Sequence, residues 1–166
     1  MERRAQGGTL IAGGGYAGSI VARRLGRRGA TIVSPENYML FTPLLPEAAS
    51  GTLEPRHVVV PLRMMCRHAE LVVGRVTALD TTRNVASVDA IDGPVEIGYE
   101  RLVLALGSVS RVLPVPGLAE HGHGFRDLAD AIALRNHVLQ QLEAADAADT
   151  PAELARHLAF VFVGAG

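Results

Sequence analysis

The 166-residue chain contains no tryptophan and no lysine; all 16 of its basic residues are arginine. A uniform choice of arginine reflects coding bias as readily as function, so the arginine total is no evidence of phosphate binding. The chain has one cysteine, Cys66, which excludes an internal disulfide framework and a Cys-x-x-Cys redox pair. Charge of neither sign is in excess. Sixteen basic and 17 acidic residues leave a net charge of −1, which excludes a strong electrostatic footprint for nucleic acid. Long hydrophobic runs are also missing. Leu102–Leu106 and Leu158–Val163 are far shorter than the roughly 20 residues needed to cross a bilayer. The apolar stretch after Arg3 and Arg4 is only Thr9–Ala12, whereas a secretory core needs about 7 residues. These absences describe a soluble, cytoplasmic protein.

Hydrophobic residues make up 48% of the chain and charged residues 20%, a balance that excludes intrinsic disorder. The length suits one domain or slightly more, and such a chain buries roughly 70% of its unfolded surface. Glycine is unusually frequent, with 18 residues.

Leu10–Ala12 is a short apolar run ending in glycines and reads as a buried strand. Tyr16–Arg28 follows as a helix, with Ala17, Ile20, Val21 and Leu25 at helical spacing and Gly29 as its left-handed cap. Ala30–Val33 is a second strand. Ser34-Pro35-Glu36-Asn37 is turn chemistry, and Tyr38–Leu45 is an ordered loop leading into a short helix that ends near Gly51. Arg56–Val60 reads as extended, and Pro61–Cys66 as a helical turn or two with proline at the first position. Glu70–Leu79, Val85–Val88 and Val95–Ile97 read as antiparallel strands joined by hairpin turns. Arg101–Leu106 is an apolar strand stopped by Gly107, and Pro114–Gly117 breaks structure. Asp127–Ala144 is a long helix with one broad apolar face. Thr150-Pro151-Ala152-Glu153 is a capping box opening a short helix, and Leu158–Val163 reads as a final strand. The fold class is therefore α/β: a Rossmann-like domain with a parallel sheet and a small antiparallel insertion near residues 70–98.

Gly13-Gly14-Gly15-Tyr16-Ala17-Gly18 matches G-x-G-x-x-G. The first glycine permits a tight turn off the strand, the second lets a pyrophosphate approach the backbone, and the third allows close helix–strand packing. The helix that starts near Tyr16 offers free N–H groups and the positive end of its dipole to the phosphates. The motif follows a strand, opens a helix and precedes a second strand, which is the context that gives it meaning. An acid is expected at the end of the second strand to hold the ribose. Ser34 occupies that place, and Glu36, two residues later, is the candidate substitute. NAD, NADP and FAD all remain open on these residues. Val161-Phe162-Val163-Gly164-Ala165-Gly166 echoes the first strand and its glycines, as if opening a second dinucleotide unit.

Four further segments carry a family resemblance. Tyr38–Gly51 (Tyr-Met-Leu-Phe-Thr-Pro-Leu-Leu-Pro-Glu-Ala-Ala-Ser-Gly) resembles the segment after the second strand of type II NADH:quinone dehydrogenases. Tyr99–Ser108 resembles the Tyr-Asp-x-Leu-Val-(Leu/Ile)-Ala-(Thr/Leu)-Gly stretch of two-dinucleotide flavoproteins, and Pro114–Gly117 resembles the Ile-Pro-Gly that follows it. Leu128–Ala131 resembles the start of the helix linking flavin and nicotinamide domains. The chain thus resembles the FAD-binding part of a type II NADH dehydrogenase within the pyridine nucleotide–disulfide oxidoreductases.

That resemblance implies several things. Residues 1–126 form the FAD-binding domain, and 127–166 form the linker helix and first strand of a truncated NADH-binding domain. FAD is the cofactor, NADH the co-substrate of the parent enzyme and a quinone or other small molecule its acceptor. Gly13, Gly14, Gly15, Tyr16 and Ala17 line the pyrophosphate, and Gly18 serves packing. Thr42, Pro43 and Leu44 approach the flavin ring, and Val76 meets the adenine through its backbone. Ala105, Leu106, Gly107 and Ser108 pass near the cofactor. A membrane surface is met only through a C-terminal part beyond this chain, and a homodimer is one arrangement open to it. The Cys-x4-Cys pair of the disulfide reductases is absent.

No catalytic side chain is assigned, because the cofactor carries the chemistry, and no metal site is assigned. The competing readings are an inactive nucleotide-binding fragment and a plain NAD(P)-binding domain. Cys66 reads as a buried structural thiol, His121 and His123 as loop histidines, Arg23, Arg24, Arg27 and Arg28 as a solvated helix face, and Glu47 as a helix-surface charge.

Overall fold

The computed structural model describes residues 2–109 and 111–164. In chain order the strands are β1 Glu2–Arg4, β2 Thr9–Ala12, β3 Ala30–Ser34, β4 Tyr38–Leu40, β5 Val59–Pro61, β6 Ala69–Asp80, β7 Val85–Ala90, β8 Gly93–Gly98 and β9 Arg101–Leu104. The helices are α1 Tyr16–Leu25, α2 Leu45–Ser50, α3 Leu62–Met65, α4 Leu118–His121, α5 Leu128–Asp146 and α6 Pro151–His157. They fall into two compact units, Met1–Phe41 with Arg56–Val109, and Thr42–Pro55 with Ser110–Gly166.

The first unit is built on a seven-stranded sheet in the order β1-β8-β7-β6-β3-β2-β9, and β4 and β5 form a separate antiparallel pair. β2 lies between β3 and β9, parallel to both, with Ala12 opposite Val33 on one side and Leu104 on the other. β6 joins the two sheet regions. Its first half runs parallel to β3, with Val73 opposite Ser34, and its second half pairs antiparallel with β7. The expected antiparallel insertion is therefore continuous with the parallel sheet. Strands of a parallel sheet are covered on both faces and read as unbroken apolar runs. Here Leu10 packs with Val33, Val72, Val88 and Ile97 on one face, and Ile11 packs with Ile32, Ala22, Met39 and Leu62 on the other.

Several boundaries differ from the sequence expectation. α1 stops at Leu25 because Gly26, at φ +53°, supplies an earlier exit; a 3-10 turn over Gly26–Arg28 follows, and Gly29 closes that turn. Residues 55–58 form a 3-10 turn where an extended segment was expected, and Pro61 precedes α3 as its N-cap instead of opening its first turn. β9 ends at Leu104, because β2 itself ends at Ala12 and only the Ala105 N–H still reaches across, to the Ala12 carbonyl at 2.8 Å. β1 and β4 were not foreseen. β1 is a three-residue charged strand held by its backbone against β8.

In the second unit α5 and α6 begin with reciprocal capping boxes. The Asp130 N–H donates to Asp127 Oδ1 at 2.8 Å, and the Glu153 N–H donates to Thr150 Oγ1 at 3.2 Å. Asp127 thus caps α5 and is not part of it. α2 ends at Gly51, a left-handed cap. The expected strand over Leu158–Val163 does not form among the described residues. A strand exists only through a ladder with a neighbour, and here none is offered: Val161 is 87% exposed and Phe162 91%. Of the second glycine echo, Gly164 is described with φ +98°; Ala165 and Gly166 lie outside the described residues.

Candidate functional site

The glycine loop leaves β2 at its carboxyl end, and its glycines have distinct tasks. Gly13 sits at φ +109°, a conformation that favours glycine, and its N–H donates to the Val33 carbonyl at 2.8 Å. A Cβ on Gly13 would overlap the Ala105 carbonyl oxygen, and one on Gly18 would overlap the Gly13 carbonyl oxygen. These two glycines let β2, β9 and α1 approach. Gly14 holds a nominally free position of the motif, yet a Cβ there would lie 2.5 Å from Leu62 Cδ1 and 2.8 Å from Ser34 Oγ. Gly15 differs from all three: nothing lies within 4 Å of its Cβ position.

Gly15 is the N-cap of α1 and supplies no side-chain cap, and the helix has no acid in its first turn. The first N–H groups of a helix lack intrahelical acceptors, so Tyr16 and Ala17, both exposed, open the helix without competition from a capping oxygen. The Tyr16 ring rests 5.8 Å from the Phe41 ring, tilted by 47°. An uncapped helix start with open space at its glycine suits a dianionic diphosphate.

Ser34 ends β3 beside this loop. It is only 4% exposed overall, and its hydroxyl, which makes no hydrogen bond among the described residues, is not sealed from solvent. It was noted in the sequence only as a missing acid; its burial against Gly14 is a property of the fold. Glu36 lies exposed in the following turn. After β9, Ala105 stays tied to Ala12, and Leu106, Gly107 and Ser108 are exposed, with Gly107 at φ +70° and open space at its Cβ position. The structure therefore gathers Gly13–Gly18, Ser34 and Ala105 at the carboxyl ends of β2, β3 and β9.

Val76 lies further along β6, opposite Val88 and packed against the core, next to a register shift between Val76 and Ala78. It is three residues past Val73, the last β6 residue paired with β3, so no strand continues along its β3 flank. Thr42, Pro43 and Leu44 belong to the second unit, where they form a 3-10 turn directly ahead of α2. Glu47, in the first turn of α2, is exposed, and its carbonyl accepts from Leu53 N–H at 3.1 Å.

Cys66 is 3% exposed, and its thiol donates to the Ser19 carbonyl at 3.5 Å. Burial pushes that thiol above the ordinary value of 9.0, and the nearby Arg23 charge partly opposes the rise. His121 ends α4 and His123 stacks on His137, ring centres 4.3 Å apart. No cluster of three or more metal-ligating side chains occurs among the described residues, and none of their helices is long and apolar enough to cross a membrane.

Residues 8–166 match the family described as pyridine nucleotide-disulphide oxidoreductase. A probable mitochondrial NADH-ubiquinone oxidoreductase of Schizosaccharomyces pombe is 33% identical over 169 residues, covering 95% of this chain and 31% of that protein. The type II NADH:quinone oxidoreductase Ndh of Mycobacterium tuberculosis is 27% identical over 162 residues, covering 95% of this chain and 35% of its own length. Among solved structures, NDH2 of Plasmodium falciparum superposes with a TM-score of 0.80 at 22% identity, over 93% of this chain and 32% of that one. The sulfide:quinone oxidoreductase of Aquifex aeolicus gives 0.69 at 25% identity, over 86% and 32%. The chain thus spans about a third of the length of the relatives it matches. With the glycine loop, the parallel sheet and nearly the whole sequence in agreement, this chain belongs to the pyridine nucleotide-disulphide oxidoreductase family.

Proposed function

We propose that this chain is the FAD-binding part of an NADH:quinone oxidoreductase. The observation that carries the reading is the open Cβ position of Gly15 at the uncapped start of α1. Gly13, Gly14, Gly15, Tyr16 and Ala17 line the diphosphate of FAD; Gly14–Ala17 offer it backbone N–H groups and the helix dipole, while Gly13, its N–H taken by the Val33 carbonyl, makes the turn beneath it. Gly18 keeps α1 against the loop. Ser34 and Glu36 face the adenylate ribose, the first with a hydroxyl and the second with a carboxylate. Val76 meets the adenine through its backbone, and Ala105–Ser108 flank the cofactor. The assignment of Thr42, Pro43 and Leu44 to the flavin ring rests on the resemblance of the Tyr38–Gly51 segment. When bound, FAD supplies the hydride-accepting chemistry between NADH and a quinone. This chain's residues bind and orient; none is assigned an acid–base role. The names of the relatives, which specify NADH and ubiquinone, support the donor and the acceptor.

Titrating free FAD with the purified chain, following flavin fluorescence, tests the reading. The expected result is saturable binding that ADP competes away, because ADP carries the diphosphate and ribose without the flavin. Saturable NADH binding with no FAD binding would assign the loop to a plain nicotinamide-nucleotide domain and overturn the proposal.

A further inference from the structure

The glycine loop occupies the carboxyl ends of β2 and β9. At the opposite ends of these strands lies a cavity of about 330 Å³, walled by the segment that leaves β1, the turn between β6 and β7, and the link between β8 and β9. β2 is four residues long and a strand rises about 3.3 Å per residue, so the cavity stands roughly 13 Å from the diphosphate loop. It shares no residue with that loop. Backbone bonds fix its walls. The Ala5 N–H donates to the Gly98 carbonyl at 2.9 Å, the Glu100 N–H to the Gly8 carbonyl at 2.8 Å and the Tyr99 N–H to the Asn84 carbonyl at 2.8 Å. Asp80 Oδ1 accepts from the Thr82 and Arg83 N–H groups at 2.9 and 3.0 Å, and Asn84 ends the turn at φ +54°.

The side chains that line the cavity keep their donors. Successive residues of a strand point to opposite faces. Arg3 pairs with Glu70, whereas Arg4, its Cγ 4.0 Å from the Cβ position of Gly98, has no carboxylate partner among the described residues. Arg83 reaches Glu96 only at 3.8 Å with both side chains about half exposed, a contact worth little in water. The Asn84 amide and the Tyr99 hydroxyl make no hydrogen bond among the described residues. One acceptor stands beside these donors, the Glu100 carboxylate, 3.8 Å from Arg101.

We infer that this cavity binds a ribose phosphate, carried as a free sugar phosphate or as a mononucleotide. Guanidinium groups grip phosphate oxygens through paired N–H donors, and Arg4 and Arg83 supply two of them from facing walls. The volume is that of a small-ligand site, which runs from about 300 to 1,000 Å³, and far exceeds what a bare phosphate fills. Glu100 decides the rest of the ligand. A carboxylate repels inorganic phosphate or a dicarboxylate, which have only acceptors to offer, but accepts from sugar hydroxyls. Tyr99, held against the core, adds a flat wall for the sugar or for a base. The site goes beyond the flavin reading, and its test needs neither FAD nor NADH.

The test is a titration of the isotopically labelled 166-residue chain with ribose 5-phosphate, followed by nuclear magnetic resonance. The amides of Gly8, Asn84, Tyr99 and Glu100 are expected to shift and saturate, while those of Gly15, Tyr16 and Ala17 stay fixed. Arg4→Ala with Arg83→Ala is expected to weaken binding by about tenfold or more, with the melting temperature nearly unchanged because both side chains are exposed. Glu100→Gln is expected to weaken ribose 5-phosphate by about tenfold and to strengthen inorganic phosphate, a reversal that a purely structural role for Glu100 would not produce. Adenosine monophosphate, titrated in parallel, separates the two sources: tighter binding at the same four amides assigns a nucleotide, and equal or weaker binding there assigns a sugar phosphate. Shifts confined to Gly15–Ala17, affinity that survives loss of both arginines, or inorganic phosphate binding the parent as tightly as ribose 5-phosphate would each overturn the inference.

Discussion

Gly15 and Gly18 stand three residues apart in one motif, and the structure predicts opposite outcomes when they are substituted. Gly15→Ser introduces a side chain where nothing lies within 4 Å, at an N-cap of φ −73° that any residue tolerates. Serine is a better N-cap than glycine by a few tenths of a kcal/mol. Losing glycine's freedom in the unfolded chain adds about 0.4–1 kcal/mol. The variant is therefore expected to be about 0.6–1.3 kcal/mol more stable than the parent. It is also expected to bind FAD more weakly by at least about tenfold, because the new hydroxyl accepts from the helix N–H groups reserved for the diphosphate. Gly18→Ala places its methyl on the Gly13 carbonyl oxygen, with Ile11 Cγ2 3.2 Å behind it. Neither backbone nor buried β2 can retreat, so the cost is that of overpacking, about 1–3 kcal/mol or more. Denaturant unfolding followed by circular dichroism, together with FAD titration of each variant, separates the two effects. Gly15→Ser that is destabilised like Gly18→Ala, or that binds FAD as the parent does, would refute the division of labour within the loop.

Ser34→Ala is expected to lower FAD affinity by about three- to tenfold, one neutral hydrogen bond, while leaving stability nearly unchanged, since the hydroxyl makes no hydrogen bond among the described residues; paired binding and unfolding curves check this. Glu36→Gln is expected to lower FAD affinity by about tenfold through loss of a charge-assisted bond, read in the same titration. Because the folded Cys66 thiol titrates above its ordinary value of 9.0, the folded state binds more protons there than the unfolded chain. Stability is then full below the ordinary value and declines as pH rises through it toward the folded value, and Cys66→Ser is expected to remove that alkaline component from the unfolding midpoint measured against pH. Thr150→Ala and Asp127→Ala each remove one capping bond and are expected to cost about 1 kcal/mol, seen as a lower helical melting temperature.

The elements of the candidate site that were readable in the sequence are those whose residues depend on local chemistry. The run Leu10–Ala12, the glycines after it and the amphipathic stretch from Tyr16 each announce themselves without reference to the rest of the chain. The capping box at Thr150–Glu153 did so too, because its spacing is fixed by helix geometry, whereas Asp127 read as the first residue of its helix and is its cap. What escaped depends on partners distant in sequence. β1 is polar and short, and only backbone pairing with β8 makes it a strand. The apolar stretch at Leu158–Val163 has the composition of a strand but no ladder to join, so composition misled. Gly26 and Gly29 are both plausible helix stops, and the earlier one prevails because the chain takes its first cheap exit from the helix. Ser34 was visible as the residue at the end of the second strand, yet its burial beside Gly14 follows from packing that the sequence does not display.

The most direct test of the account follows the backbone amides of Gly15, Tyr16 and Ala17 by nuclear magnetic resonance while FAD is added to the isotopically labelled chain. The account predicts that these three amide signals move together, saturating with the ligand, as their N–H groups take up phosphate oxygens at the start of α1. Signals there that stay fixed while FAD binds, with the shifts confined to another surface, would contradict it.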